Sequence, residues 1–228
     1  MNRNSIRSLG YVVELINPPL KHTIERSNSL FSALADYYTS CERPADNVTH
    51  LIHKDRNSEE VKKLSILPDR LILLNNFTQG NVDIFIETAK DILSKSISVL
   101  KIPLFFFRQY TIRIVANPLK VQDSRKFICN NICKFEEIAL KKFGRPIHGC
   151  GLKFVFPPTP NDNNEFNVRI ESFLRDIKEI FIENQARFLN PLQILNDSKY
   201  LGVIEGEIKK THDFIINKIS DFLIQYND

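Results

Sequence analysis

The sequence predicts an α+β protein: a mostly antiparallel sheet with about four main helices. Three observations carry this. Several runs alternate apolar and polar residues, as Phe166, Val168, Ile170, Ser172 and Leu174 do against Asn167, Arg169, Glu171 and Phe173, and period two is the mark of a strand with one buried face. Other runs repeat at helical spacing: Val82, Phe85, Ile86, Ala89, Ile92, Leu93, Ser96 and Val99 make one long apolar stripe. Prolines fall where the strands should stop, at Pro18-Pro19, Pro118 and Pro157-Pro158.

Taken in order, residues 1–9 are polar and basic and are expected to fray. Tyr11–Asn17 is a strand, followed by a helix capped by Ser27 or Asn28 with the stripe Phe31, Leu34, Ala35 and Tyr38. Val48–His53, Leu64–Leu67 and Leu71–Asn75 are short strands, with Pro68-Asp69-Arg70 as a turn. After the long helix, Leu104–Asn117 is the longest strand, with Arg108, Tyr110, Ile112 and Ile114 on one side and Gln109, Thr111, Arg113 and Val115 on the other. A second helical group carries Ile128, Ile132, Phe135, Ile138 and Ala139 and stops at Gly144. Leu152–Phe156, the alternating run from Phe166 and Ile177–Phe188 are strands, and the last helix carries Ile204, Ile208, Thr211, Ile215, Ile219 and Phe222.

The two halves read alike. INPPLK at 16–21 and ANPLK at 116–120 each follow a strand, and KDILSKSI at 90–97 matches HDFIINKI at 212–219 inside long helices. This predicts an internal β-α-β-β-β-α duplication, saddle or helix-grip-like, with residues 10–103 and 104–228 as halves of one unit. Such halves would join their sheets edge to edge, with helices on one face and the other face open or covered by a partner.

Composition limits the chemistry. The net charge of +4 is mild, and Lys and Arg are interleaved with Asp and Glu along the chain, unlike the one-sided charge of a dedicated nucleic-acid domain. The first apolar run, Tyr11–Ile16, and the run Ile102–Phe107 are far shorter than the ~20 residues that cross a bilayer. The four cysteines are too few and scattered for a secreted disulfide framework. A soluble, cytoplasmic protein is expected. With 7 Gly there is no P-loop and no G-x-G-x-x-G, and no G-x-S-x-G elbow is present.

Cys129, Cys133, His148 and Cys150 have the ligand count of a structural zinc site but lack the tight C-x2-C turn, so no metal and no cofactor is expected. Glu59-Glu60 and Glu136-Glu137 sit among lysines as solvated salt-bridge faces. Cys150 lies between two glycines and two residues from His148, which could raise its thiolate fraction. The strongest set is Arg108, Arg113, Lys153, Arg169 and Arg175 with Tyr110 and Phe173, cations and aromatics that would suit an open sheet face.

The texture of LPDRLILLNN (67–76), FFFRQYTIRIVANP (105–118), GLKFVFPP (151–158) and FNVRIESFLRDIKEIFIENQARF (166–188), with a late helix around His212, resembles an uncharacterised, sporadically distributed prokaryotic protein family of unknown function. The resemblance covers most of the chain and implies an α+β fold, and it carries over no catalytic residue. The expectation is a non-enzymatic binding or interaction protein whose partner is another protein. The alternatives are a nucleic-acid binder, and a ligand-binding protein or enzyme with a pocket near His148 and Cys150. The oligomeric state stays open, a homodimer included, and no membrane is expected as partner.

Overall fold

Alternating strands put their apolar set on one side of the layer they share, and the computed structural model of the chain extends this over nine strands. It describes residues 6–55, 57–78, 80–117, 121–194 and 198–226. The chain runs β1 (Arg7–Ile16), α1 (Ile24–Ala33), β2 (Ser40–Ala45), β3 (Val48–Lys54), β4 (Val61–Leu67), β5 (Arg70–Asn76) and α2 (Val82–Leu100). It continues with β6 (Leu104–Phe105), β7 (Phe107–Ala116), α3 (Ser124–Lys126), a π-helical turn (Phe127–Ile132) and α4 (Glu137–Lys141). The remainder is β8 (Gly151–Phe156), β9 (Asn164–Ser172), β10 (Ile180–Phe188), β11 (Leu192–Gln193), α5 (Lys199–Asp213), a second π-helical turn (Phe214–Ile219) and α6 (Ser220–Ile224).

The main sheet has the order β2-β3-β4-β5-β1-β7-β10-β9-β8, and the short β11 and β6 pair separately. All the pairings are antiparallel. The order is close to symmetric about the central β1·β7 pair. On each side the first strand is bordered by the last strand of its own set, and the sequence then runs outward in reverse. The chain is an α+β protein with a large antiparallel sheet, as its alternation predicts.

Helices occupy one face. Tyr11, Val13 and Leu15 of β1, Tyr110, Ile112 and Ile114 of β7, Ile180 and Ile182 of β10, and Val168 and Ile170 of β9 are buried there. They meet the stripe of α2 (Phe85, Ile86, Ala89, Ile92, Leu93, Ile97) and that of the last helical stretch (Ile204, Ile208, Ile215, Ile219, Leu223). The Tyr11 and Phe85 rings stack at 4.6 Å. Each buried Leu or Ile contributes about 1.5–3 kcal/mol relative to exposure, so this interface is a large favourable contribution to the fold. Asn81 caps α2 by accepting from the Ile84 N–H at 3.0 Å, and Lys101 ends it in the left-handed conformation. At Gly10, where β1 slips register against β7, a Cβ would lie 2.9 Å from Asn76 Oδ1 and 3.0 Å from the Asn75 carbonyl. Only glycine fits that approach without displacing the neighbouring strand.

Five details differ from the sequence reading. Arg7–Leu9 belong to β1 rather than to a frayed terminus, while residues 1–5 lie outside the described residues. The first helix starts at Ile24 with Thr23 as its cap, and Ser27 is instead buried with its hydroxyl 3.1 Å from that of Thr49. The strand β2, SCERPA, has no alternation and contains Pro44, so period two could not find it. The second helical group is not one helix: it breaks after the π turn, where Lys134 takes a positive φ of 56°. Its expected stripe splits there, with Ile128 buried and Phe135 and Ile138 exposed. In the closing helix the π turn shifts the register, so Leu223 joins the buried stripe. Phe222 instead packs edge-on to Phe154.

One charged pair is inside the core. Arg108 of β7 faces the helices, with Nε and Nη2 donating to Glu207 of α5 at 2.8 and 2.6 Å. Its third nitrogen, Nη1, donates to the Asn190 carbonyl, and the Tyr110 hydroxyl donates to Glu207 at 2.8 Å. Burial, then the Glu207 charge, pushes the Tyr110 phenol well above its ordinary range, so it stays a donor. Removing one partner strands a buried charge, at a cost of about 3–5 kcal/mol, whereas replacing both by apolar groups is often neutral or stabilising. We therefore expect Glu207→Leu to lose about that much stability in urea unfolding followed by circular dichroism. The double variant Arg108→Met/Glu207→Leu is expected to recover most of it.

Candidate interaction surface

The face opposite the helices is covered by no named helix or strand among the described residues. Register defines its rows. One crosses Ile72 (β5), Glu14 (β1), Gln109 (β7), Arg187 (β10) and Glu165 (β9). The next crosses Leu74, Val12, Thr111, Gln185, Asn167 and Val155 of β8. The third crosses Asn76, Gly10, Arg113, Glu183, Arg169 and Lys153.

The polar groups of this face are tied to one another. Arg70 Nη1 donates to Glu14 at 2.7 Å, and Gln109 donates to the other Glu14 oxygen at 3.0 Å. Gln109 in turn accepts from Arg187 Nε at 2.8 Å, and Arg187 lies 3.6 Å from Glu165, which accepts from Asn167 at 2.5 Å. In the third row Arg113 Nε donates to Glu183 at 2.7 Å. Arg169 sits 3.7 Å from Glu183 and 3.3 Å from Glu171, over the Phe181 ring at 5.7 Å. The result is a half-buried ladder whose arginines are already matched to carboxylates.

Of the residues singled out from sequence, Arg113, Lys153 and Arg169 share this face. Arg108 and Tyr110 do not. They differ in parity from Arg113 and are buried under α5, so their place on the open face is corrected: they hold the core. Phe173 and Arg175 lie in the β9–β10 connection at the end of the sheet. There Arg175 pairs with Glu59 at 2.7 Å and covers the Phe77 ring at 5.0 Å. Together with Arg7, Asp176 and Glu179 they line a groove of about 730 Å³. Sequence reasoning missed Glu14, Arg70, Gln109, Glu165 and Arg187. The signal was the odd charge in an apolar strand: Glu14 interrupts YVVELI, which marks a strand face exposed to solvent.

Three thiols converge. Cys129 and Cys133 from the π turn and its end approach Cys150 at the start of β8, close enough to perturb one another. His148 is exposed. Burial first, then the hydrogen bond and charge of Cys129, pushes the Cys150 thiol up to about 12. Burial, then Cys129, also raises Cys133. This weighs against the activated thiol raised from sequence, because the nearest groups are thiols in a desolvated site, not a cation. The neighbouring depression of about 450 Å³ is lined by Gly149, Cys150, Lys153, Arg169 and Glu171, and His148 is not among its walls. Among the described residues no group of three or more His, Cys, Asp and Glu is placed to hold a metal ion, and no helix is long and apolar enough to cross a membrane.

No family model and no curated protein matches the chain. Among solved structures, an aspartate kinase from Clostridium acetobutylicum, described as an allosteric enzyme, aligns at 10% identity with a TM-score of 0.24. The alignment covers 89% of this chain and 34% of the kinase, so the chain spans about a third of that enzyme's length. At so low a TM-score the likeness bears on neither fold nor function.

Thiolate, not thiol, is the nucleophile, so a raised pKa slows alkylation even after allowing for the greater basicity of the anion. With iodoacetamide at pH 8, Cys150 in the folded protein is expected to react at least tenfold more slowly than free cysteine. Mass spectrometry of the time course reads this directly, and urea should remove the difference.

Proposed function

We propose that this chain is a non-enzymatic interaction protein that binds another protein on the open face of its sheet. The observation that supports the reading is the ladder Arg70–Glu14–Gln109–Arg187–Glu165, flanked by Val12, Ile72 and Leu74. Arginine beside apolar residues, with polar partners already aligned, is the composition of a protein interface. The same ladder disfavours a polyanion. Arg70, Arg113, Arg169 and Arg187 each lie against a carboxylate, so phosphates would have to displace existing partners before counterion release could drive binding. We also read the two sides of the sheet as copies of one β-α-β-β-β-α unit, the first side carrying β2 as a fourth, added edge strand, supported by the near-symmetric strand order about β1·β7. Of the matching strings, Pro118–Lys120 lie outside the described residues.

The test pairs two variants with two challenges. Arg113→Ala/Arg187→Ala interrupts two rows without introducing new charge, and circular dichroism checks the fold. Capture of a discrete partner by the wild-type chain should survive nuclease treatment and weaken at least tenfold in the variant. Capture that vanishes with nuclease, or binding of oligonucleotides that falls steeply with salt, would favour the nucleic-acid reading instead.

A further inference from the structure

The two edges of the sheet are built differently. On one side the order ends β5-β4-β3-β2, so four strands lie outside β1. On the other it ends β10-β9-β8, so three strands lie outside β7 and nothing among the described residues pairs beyond β8. The outer edge of β2 is blunted in the usual ways: it carries Glu42, Arg43 and Pro44 and a register shift between Glu42 and Ala45. The edge of β8 is not. Its sequence is GLKFVF, with Val155 56% and Phe156 38% exposed.

Backbone pattern shows what that edge offers. The Ser172 N–H donates to the Cys150 carbonyl at 2.9 Å, and in an antiparallel pair hydrogen-bonded residues alternate with those that point away. With the register Leu152↔Ile170 and Phe154↔Val168, the inward-bonding residues are therefore Leu152, Phe154 and Phe156. The N–H and C=O groups of Gly151, Lys153 and Val155 point off the sheet. Those of Lys153 and Val155 are free main-chain groups on an apolar strand, the arrangement that takes an added strand, while the Gly151 N–H also lies against the Cys150 sulfur.

We propose that β8 pairs antiparallel with β8 of a second copy of this chain, joining two sheets into one, and that the pairing is centred on Phe154. The strand is self-complementary in that register. Lys153 faces Val155 of the other copy in a hydrogen-bonded pair, twice over by symmetry. Phe154 faces Phe154, and Phe156 faces Leu152, all on the helix side, where Phe154 and Phe156 already join Phe222 and Phe214 in an aromatic cluster. Shifting the centre to Lys153 sets two like charges opposite each other, which is destabilising. Pro157 and Pro158 limit the pairing to the strand itself. This proposal does not depend on the open face having a partner, since the pairing uses the edge.

Sedimentation equilibrium or light scattering on the full chain tests it with three substitutions at the exposed Val155. Val155→Pro removes an N–H that no neighbour uses, so β8–β9 pairing is kept while the dimer is lost. Val155→Lys sets Lys opposite Lys153 of the other copy and should weaken association at least tenfold. Val155→Glu sets a carboxylate there and should preserve or strengthen it, with the gain reduced by salt. Circular dichroism confirms the fold of each. A wild-type chain that stays monomeric up to several hundred micromolar overturns the proposal. So does equal disruption by Lys and Glu, or a dimer that Val155→Pro leaves intact.

Discussion

A strand sends alternate side chains to opposite faces, so a sheet of nine strands can place only half of its side chains in any one core. In this chain that half is covered by α2 and α5 with its continuation, and the apolar stripes of those helices are long enough to seal it. Everything else follows from that division. The helix side is dry, which is why Arg108 there is met by Glu207 and a main-chain carbonyl at once, with the Tyr110 hydroxyl donating to the same Glu207. The other side stays wet, and its charges settle into cross-strand pairs. The same residue type thus plays two parts within one strand. Arg108 is a core brace, and Arg113, five residues on and of opposite parity, belongs to the ladder.

Much of the architecture was legible because period is a local signal. The helix at Val82–Leu100 and the strand β9 could be read directly from spacing, and the strands β1 and β10 from their β-rich runs and flanking turns. What could not be read was whatever depends on distant partners. The strand β2 exists because β3 offers it an edge, not because SCERPA favours extension. The break after Ile132 turns on a π turn and a left-handed Lys134, neither of which has a sequence mark as clear as glycine. The ladder was half visible. Strand parity gives the face of each residue but not the register that brings Glu14 beside both Arg70 and Gln109.

The convergence of Cys129, Cys133 and Cys150 illustrates the same limit from the chemical side. Sequence spacing raised ligands and an activated thiol beside the plainer reading of thiols buried as small apolar residues. The fold packs the thiols against one another at the margin of the core, where mutual proximity and desolvation favour the neutral form. A cation nearby would favour the thiolate, and here Lys153 and Arg169 share the face of the sheet opposite to that of Leu152 and, by parity, Cys150. Three cysteines in one place behave as small apolar residues.

Size is the remaining consideration for an interaction role. Nine strands at about 4.8 Å, each presenting about six residues at ~3.3 Å, give a face of roughly 40 by 20 Å. That is about 800 Å², close to what each partner contributes to a stable protein–protein interface. A ladder that is already hydrogen-bonded contributes little net attraction, since every new partner must match groups that are satisfied without it. It contributes selectivity, because a surface with the wrong charge pattern leaves Glu14 or Glu183 facing a like charge in a half-buried setting. In the proposed role the affinity would have to come from the apolar residues Val12, Ile72 and Leu74, with the arginines fixing which surface is accepted and in which orientation.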